Sequence, residues 1–304
     1  MKKTLIACSI TLIAAAALSS YGFTKPSIAA QESFTGDWTA KVKETTTRGT
    51  VLWLSLTSNS SDGKRNWQSS SDFPLGDFSG LNPNAGANAQ FSMQREAGTV
   101  VFTGLFSNGK GVGEFRFSPN GNFISTMRGL GYEELSTDKL FTMTIHDVGT
   151  RFISELKSLG YDKVPVNKLI AMRIHGVDKE FIAKARTLGY SELPVDKLIT
   201  MSIHGINEEY IKGVQALGYN NVPFDKLVAM KIHNVNGEYI KEMESFGYSQ
   251  ISVDKLIAMR IHNVSGQFIR EMKESGFNNL SIDDLIKLRI HGVDSNYVKK
   301  MKGN

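Results

Sequence analysis

The six histidines of this 304-residue chain, His146, His175, His204, His233, His262 and His291, stand 29 residues apart in a single column. Imidazole titrates near neutrality and is the commonest metal ligand, so a regular histidine column first suggests metal chemistry. The spacing argues against it. Stacked helical units would hold successive imidazoles roughly 10 Å apart, whereas one zinc ion gathers its ligands at about 2 Å. The column therefore reads as structural: a histidine near a helix C-terminus can cover free carbonyls and meet the helix dipole favourably. No metal and no other cofactor is expected.

Motifs that would place a nucleophile or hold a phosphate are also missing. The chain has no His-Glu-x-x-His, no Gly-x-Ser-x-Gly, no phosphate loop and no Ser-x-x-Lys in a β-lactamase-like context. Binding is expected in place of catalysis. The charged residues suggest where. Lys168, Lys197, Lys226 and Lys255 recur at the repeat period, joined on the same segments by Arg173, Lys231, Arg260 and Arg289. Taken singly they form a solvated face, and stacked they become a basic row that a protein or an acidic envelope polymer could use.

Nucleic acid is not the expected partner. The formal net charge is +5, but removing Lys2, Lys3 and Lys25 from the 35 basic residues leaves 32 against 30 acidic ones. Those three lie in an N-terminal segment with a basic start, an apolar run from Leu5 to Leu18 and Ser27-Ile28-Ala29-Ala30 at its end. This order predicts a signal peptide over residues 1–30, or else an uncleaved anchor, with the apolar run short of the roughly 20 residues a membrane span needs. A periplasmic or secreted protein with no transmembrane domain after cleavage follows. The only cysteine, Cys8, falls inside that segment, so disulfides and thiol chemistry drop out.

The elements that carry these residues announce themselves by the same period. One unit, Val164 to Tyr190, reads VPVNKLIAMRIHGVDKEFIAKARTLGY. Pro165, Pro194 and Pro223, or Ser136, Ser252 and Ser281, open a first helix, and Asp196, Asp225, Asp254 and Asp283 place negative charge in its first turn. Leu169 and Met172, with Ile170 and Ile174, give it one apolar face. Asp178, Asn207, Asn236, Ser265 and Asp294 suit the N-cap of a second helix. Gly160, Gly189, Gly218 and Gly247, each followed by tyrosine, suit its left-handed C-terminal stop. Two short helices cannot bury their own stripes, so the units should stack into an α-solenoid over residues 123–304, or else form loosely touching helical hairpins.

Residues 31–122 have a different texture, alternating apolar and polar residues as in Val51-Leu52-Trp53-Leu54-Ser55-Leu56. Strands are expected at Trp38–Lys43, Val51–Thr57, Gln90–Arg95, Thr99–Leu105 and Gly111–Phe117, with a hairpin at Ser107-Asn108-Gly109 and a surface loop over Asn82–Asn88. The fold class is α+β, with a small antiparallel sandwich or barrel leading into the repeats. Gly36-Asp37-Trp38 resembles the Gly-x-Trp opening of calycin barrels, which implies a small-ligand carrier; a tryptophan plugging a β core explains the same residues.

Val195-Asp196-Lys197-Leu198-Ile199 and Ile174-His175-Gly176-Val177, followed by Phe181-Ile182 and Leu188-Gly189-Tyr190, resemble helical repeats that accompany bacterial sensor-transducers of the M56/BlaR1 type. The resemblance spans about residues 123–304 and implies an extracytoplasmic sensing or docking module. The transmembrane helices and zinc-peptidase motif of those sensors are missing from this sequence, so peptidase activity is not implied.

Overall fold

Alternation in the N-terminal stretch becomes six antiparallel strands, β1 (Phe34–Thr45), β2 (Gly49–Asn59), β3 (Asn66–Pro74), β4 (Gly86–Arg95), β5 (Gly98–Ser107) and β6 (Lys110–Pro119). They are hydrogen-bonded in the order β3-β2-β1-β6-β5-β4. The computed structural model describes residues 34–59, 66–301 and 303; the expected signal segment, with Cys8, lies outside the described residues. Asn108 and Gly109, at φ 50° and 71°, form the expected two-residue hairpin that sets Ser107 against Lys110. One strand was not foreseen and one local reading is corrected. The serine-rich β3 lacks apolar alternation and pairs with β2 all the same, Leu54 opposite Ser71. Gly86 to Asn88 begins β4 through an irregular register and is no loop.

This is one sheet, and it curls. Flat, it would hold β1 and β4 about 14 Å apart, three strand spacings, yet the Trp38 ring lies 5.2 Å from that of Phe91. Phe78 links the outer strands, 6.0 Å from Phe73 and 5.7 Å from Phe91. The arrangement approaches a barrel, although no ladder joins β3 to β4 among the described residues. Its interior is filled by Trp38, Phe91, Phe102, Phe106 and Phe115. The Trp38 indole donates to the carbonyls of Thr103 and Glu114, both at 3.1 Å. Gly111 is needed to seat it, because a Cβ there would come within 2.6 Å of Phe106 and 2.7 Å of Trp38.

Helix α1 (Gly121–Gly129) follows, N-capped by Asn120. The array then alternates first helices α2 (Thr137–Ile145), α4 (Val166–Ile174), α6 (Val195–Ile203), α8 (Phe224–Ile232), α10 (Val253–Ile261) and α12 (Ile282–Ile290) with second helices. The latter are α3 (Thr150–Ser158), α5 (Lys179–Thr187), α7 (Glu208–Gln215), α9 (Gly237–Ser245), α11 (Gly266–Glu274) and α13 (Ser295–Met301). The expected caps are in place: Asp178, Asn207, Asn236, Ser265 and Asp294 accept from the backbone N–H three residues on. Gly189 stands at φ 95° while Tyr190 N–H bonds Ala185 O at 3.0 Å, the left-handed stop that a side chain would strain.

The tyrosines do more than pack. The hydroxyls of Tyr132, Tyr161, Tyr190, Tyr219 and Tyr248 donate to Val164, Leu193, Val222, Ile251 and Leu280 carbonyls, 32 residues ahead, at 2.8–3.1 Å. Each repeat is thereby stitched to the next, and burial holds the Tyr190 and Tyr219 phenols above their ordinary pKa. The first helices α4 and α6, and α8, α10 and α12, approach one another closely. Second helices α7 and α9 instead leave a groove of about 540 Å³ between them.

Sheet and array share one continuous apolar core. Phe141 of α2 stacks on Phe115 at 5.2 Å and meets Phe117 at 5.3 Å and Phe34 at 4.6 Å. Polar contacts complete the joint. Glu96, in the β4–β5 turn, accepts from Thr150 N–H at 3.0 Å and its hydroxyl at 2.6 Å, capping α3 in place of Gly149, which has no side chain to offer. Asp147 meets both Arg95 at 3.5 Å and Arg173 at 2.8 Å. No helix among the described residues is long and apolar enough to cross a membrane.

Candidate functional site

The repeat geometry sorts the candidate residues into rows that run across the first helices. Near the helix N-termini lies the lysine row, and it is matched with carboxylates. Lys168 pairs with Asp196, Lys197 with Asp225 at 2.9 Å, Lys226 with Asp254, and Lys255 with Asp283 at 2.9 Å. Each lysine thus reaches the first-turn aspartate of the following repeat, and the row expected to be basic alternates in sign. The ends of such pairs are exposed and each contributes little alone, but four in series fix the repeats in register.

The second basic set is one turn and a half further along the same helices and does different work. Arg173, Arg260 and Arg289 donate through Nε to the backbone carbonyls of His146, His233 and His262 in the preceding repeat, at 3.0, 3.0 and 3.1 Å. Ser202 donates to His175 O in the same way. Their flat groups lie over rings of the preceding second helix, Arg173 over Phe152, Arg260 over Tyr239 and Arg289 over Phe268 at 5.3, 4.7 and 5.0 Å. Lys231 lies 4.4 Å above Tyr210.

The histidines occupy the C-cap of every first helix. The backbone closes the helix there: His175 N–H bonds Ala171 O at 3.0 Å and Val177 N–H bonds Met172 O at 2.7 Å. Among the described residues no imidazole nitrogen is hydrogen-bonded to a carbonyl, so covering of the helix end by the ring is not what the structure displays. No group of three or more metal-ligating side chains gathers among the described residues. His146, at the joint with the sheet, is held below its ordinary pKa by burial first and then by Arg95 and Arg173.

One row escaped the sequence reading. Ile174, expected on the core face of its helix with Ile170, stands 50% exposed, and its counterparts Ile203, Ile232, Ile261 and Ile290 are 49–55% exposed. Leu169 and Met172 are fully buried, and five and two residues on from them the helix has turned Ile174 outward. Only in α2, which lies against the sheet, is the column residue, Ile145, buried, at 2%. The signal was available, since isoleucine recurs just before every histidine. Periodicity inside one helix cannot tell a wide apolar face from a narrow one with an exposed edge.

The surface so assembled is an apolar row of five isoleucines, flanked on one side in sequence by Arg173, Lys231, Arg260 and Arg289 and on the other by the histidines. It runs beside the lysine–aspartate ladder. Comparisons with known protein families, with curated proteins and with solved structures give no match to this chain.

Proposed function

We propose that this is an exported, non-enzymatic binding or scaffold protein whose repeat array is an extracytoplasmic docking module, with the isoleucine row as its contact surface. The observation that carries the reading is that row. Single exposed apolar residues are ordinary on a protein surface, but five in register on successive stacked helices form a continuous patch of the kind that marks an interaction site. Covering one half-exposed isoleucine is favourable by on the order of 1 kcal/mol, so the row supplies a useful share of a specific interface without calling on any single strong contact. The calycin-like alternative finds less support, because the interior where a barrel would hold a ligand is occupied by its own rings.

The test is capture of partners from an envelope fraction by the wild-type chain and two variants. Ile203→Ser with Ile232→Ser and Ile261→Ser should abolish capture while leaving the helical spectrum intact. Lys197→Glu with Lys226→Glu and Lys255→Glu alters only the ladder, and should leave capture in place. Loss in the lysine variant with retention in the isoleucine variant would transfer the site to the lysine row, as the spacing of the basic residues alone suggests. Capture retained by both would take the array out of the function.

A further inference from the structure

Resting on that docking reading, we infer that the occupant of the row is an acidic peptide segment in extended, polyproline II conformation, bound along α8, α10 and α12, with apolar and carboxylate side chains recurring about every third residue.

The three last first helices differ from the earlier ones in charge. Ile232, Ile261 and Ile290 are each preceded by a cation, Lys231, Arg260 and Arg289, for which no carboxylate partner is found among the described residues. In the earlier repeats the same position is neutralised by Asp147 at Arg173 or carries Ser202. The array therefore joins an exposed isoleucine to an uncompensated cation only over its last three units, and there it does so three times running.

These cations are also pre-set. The Arg260 and Arg289 Nε bonds to His233 O and His262 O and their seats above Tyr239 and Phe268 fix the guanidinium planes. An arginine carries five N–H donors; one is used in each case, and the outer edge keeps the fork that takes a carboxylate through two parallel bonds. A group already held in its binding orientation loses less freedom when an anion arrives.

Spacing selects the form of the anion. Packed helices lie about 10 Å apart; an extended chain in the polyproline II form advances about 3.1 Å per residue with three residues per turn, so every third residue returns to the same side and meets the next repeat, and about nine residues span three. An α-helix rises about 1.5 Å per residue and would meet the same register only once in about seven.

Width selects a peptide over an anionic lipid surface. Asp225, Asp254 and Asp283 lie seven residues before Ile232, Ile261 and Ile290, two helical turns back on the same face, and they are 59–78% exposed. A broad anionic sheet laid on the isoleucines would also have to cover these aspartates and the lysines paired with them, a row of alternating sign with no net attraction for it, whereas a single strand would meet only the cations beside the isoleucines.

The experiment selects peptides of about nine to twelve residues from a random displayed library on the full chain, with counter-selection on an Ile232→Ser, Ile261→Ser, Ile290→Ser variant. The expected peptides carry aspartate or glutamate and an apolar residue at three-residue recurrence. They should bind Lys231→Glu, Arg260→Glu, Arg289→Glu at least tenfold more weakly, and versions with lysine in place of the acids should bind that variant better than wild type. Circular dichroism confirms that each variant keeps its helices. Peptides without acids, no selective enrichment, or phosphatidylglycerol vesicles that bind wild type and lose binding in the same two variants would each overturn the inference. If the isoleucine variant loses the selected peptides and the charge-reversed one keeps them, the acidic partner fails and the docking surface stands. If neither variant loses them, both fail.

Discussion

The sheet turns most of its large apolar side chains into one interior, with Leu105 and Val112 exposed opposite each other across β5 and β6, whereas the array from α4 onward leaves one isoleucine per repeat half in water. The difference follows from how each region is specified. In the sheet, β1 must satisfy its hairpin neighbour β2 on one edge and β6, far along the chain, on the other, over the same 12 residues of strand. In the array every unit meets only its neighbours, through the same tyrosine, lysine and arginine contacts. Such units depend on nearest-neighbour interfaces, so a position not needed for stacking is free to repeat for another reason. The isoleucine column occupies such a position.

Phe141 is where the two regimes meet, and removing it should have the largest effect. Phe141→Ala deletes a fully buried ring, a change that costs about 3–5 kcal/mol, and should let sheet and array unfold separately. All three tryptophans, Trp38, Trp53 and Trp67, belong to the strands, so tryptophan fluorescence follows the sheet while far-ultraviolet circular dichroism follows the helices. Coincident transitions in the variant would show that Phe141 does not couple the two. Acid acts on the same joint. His146 is held below its ordinary pKa of 6.5, so the folded state prefers neutral imidazole and the unfolded chain binds the extra proton. This contribution is fully present above the ordinary value and is lost as pH falls below it. The first transition should move to lower denaturant at about pH 5 than at about pH 7, and His146→Asn should shrink the shift.

A smaller change separates local from global stability inside the array. Tyr190→Phe removes the hydroxyl that donates to Val222 O at 2.9 Å, at a cost of about 1 kcal/mol. Hydrogen exchange should quicken in the repeats around Tyr190 and Val222 and stay unchanged in the sheet. Faster exchange spread evenly over the whole chain would mean that the array unfolds as a unit.

How far these features were legible depended on the range of the interaction that makes them. Caps and stops lie within three or four residues of the groups they satisfy, so Asp178, Asn207 and Gly189 could be placed from the string alone, and the helix pairs with them. The β3 strand is held by β2 and not by its own pattern, and Gln68 to Ser71 gives no hint of it. The lysine and aspartate columns were both visible, but the aspartates already had a local explanation in the helix dipole. Only the stacked geometry brings Lys226 to Asp254, 28 residues on, and turns a basic row into a ladder. For the same reason Ile174 read as core: its exposure depends on where the neighbouring helices lie, which one unit cannot reveal.

The ladder should give the smallest effect and the sharpest test of that last distinction. Lys226→Glu places a glutamate against Asp254, and Asp254→Lys places a lysine against Lys226, so each single change replaces an attraction by a repulsion. The double change restores opposite charges with the ends exchanged. Exposed pairs of this kind contribute about 0.2–1 kcal/mol, so thermal unfolding of the wild type, both singles and the double should yield a coupling in that range. It should fade as salt rises, because exposed charges are screened within about 8 Å at physiological ionic strength. Additive singles, with no recovery in the double, would mean that Lys226 points to solvent and the lysine row is a free basic surface. Recovery would leave Lys231, Arg260 and Arg289 as cations that stand beside the isoleucines with no carboxylate partner among the described residues, which is where an acidic partner has to find them.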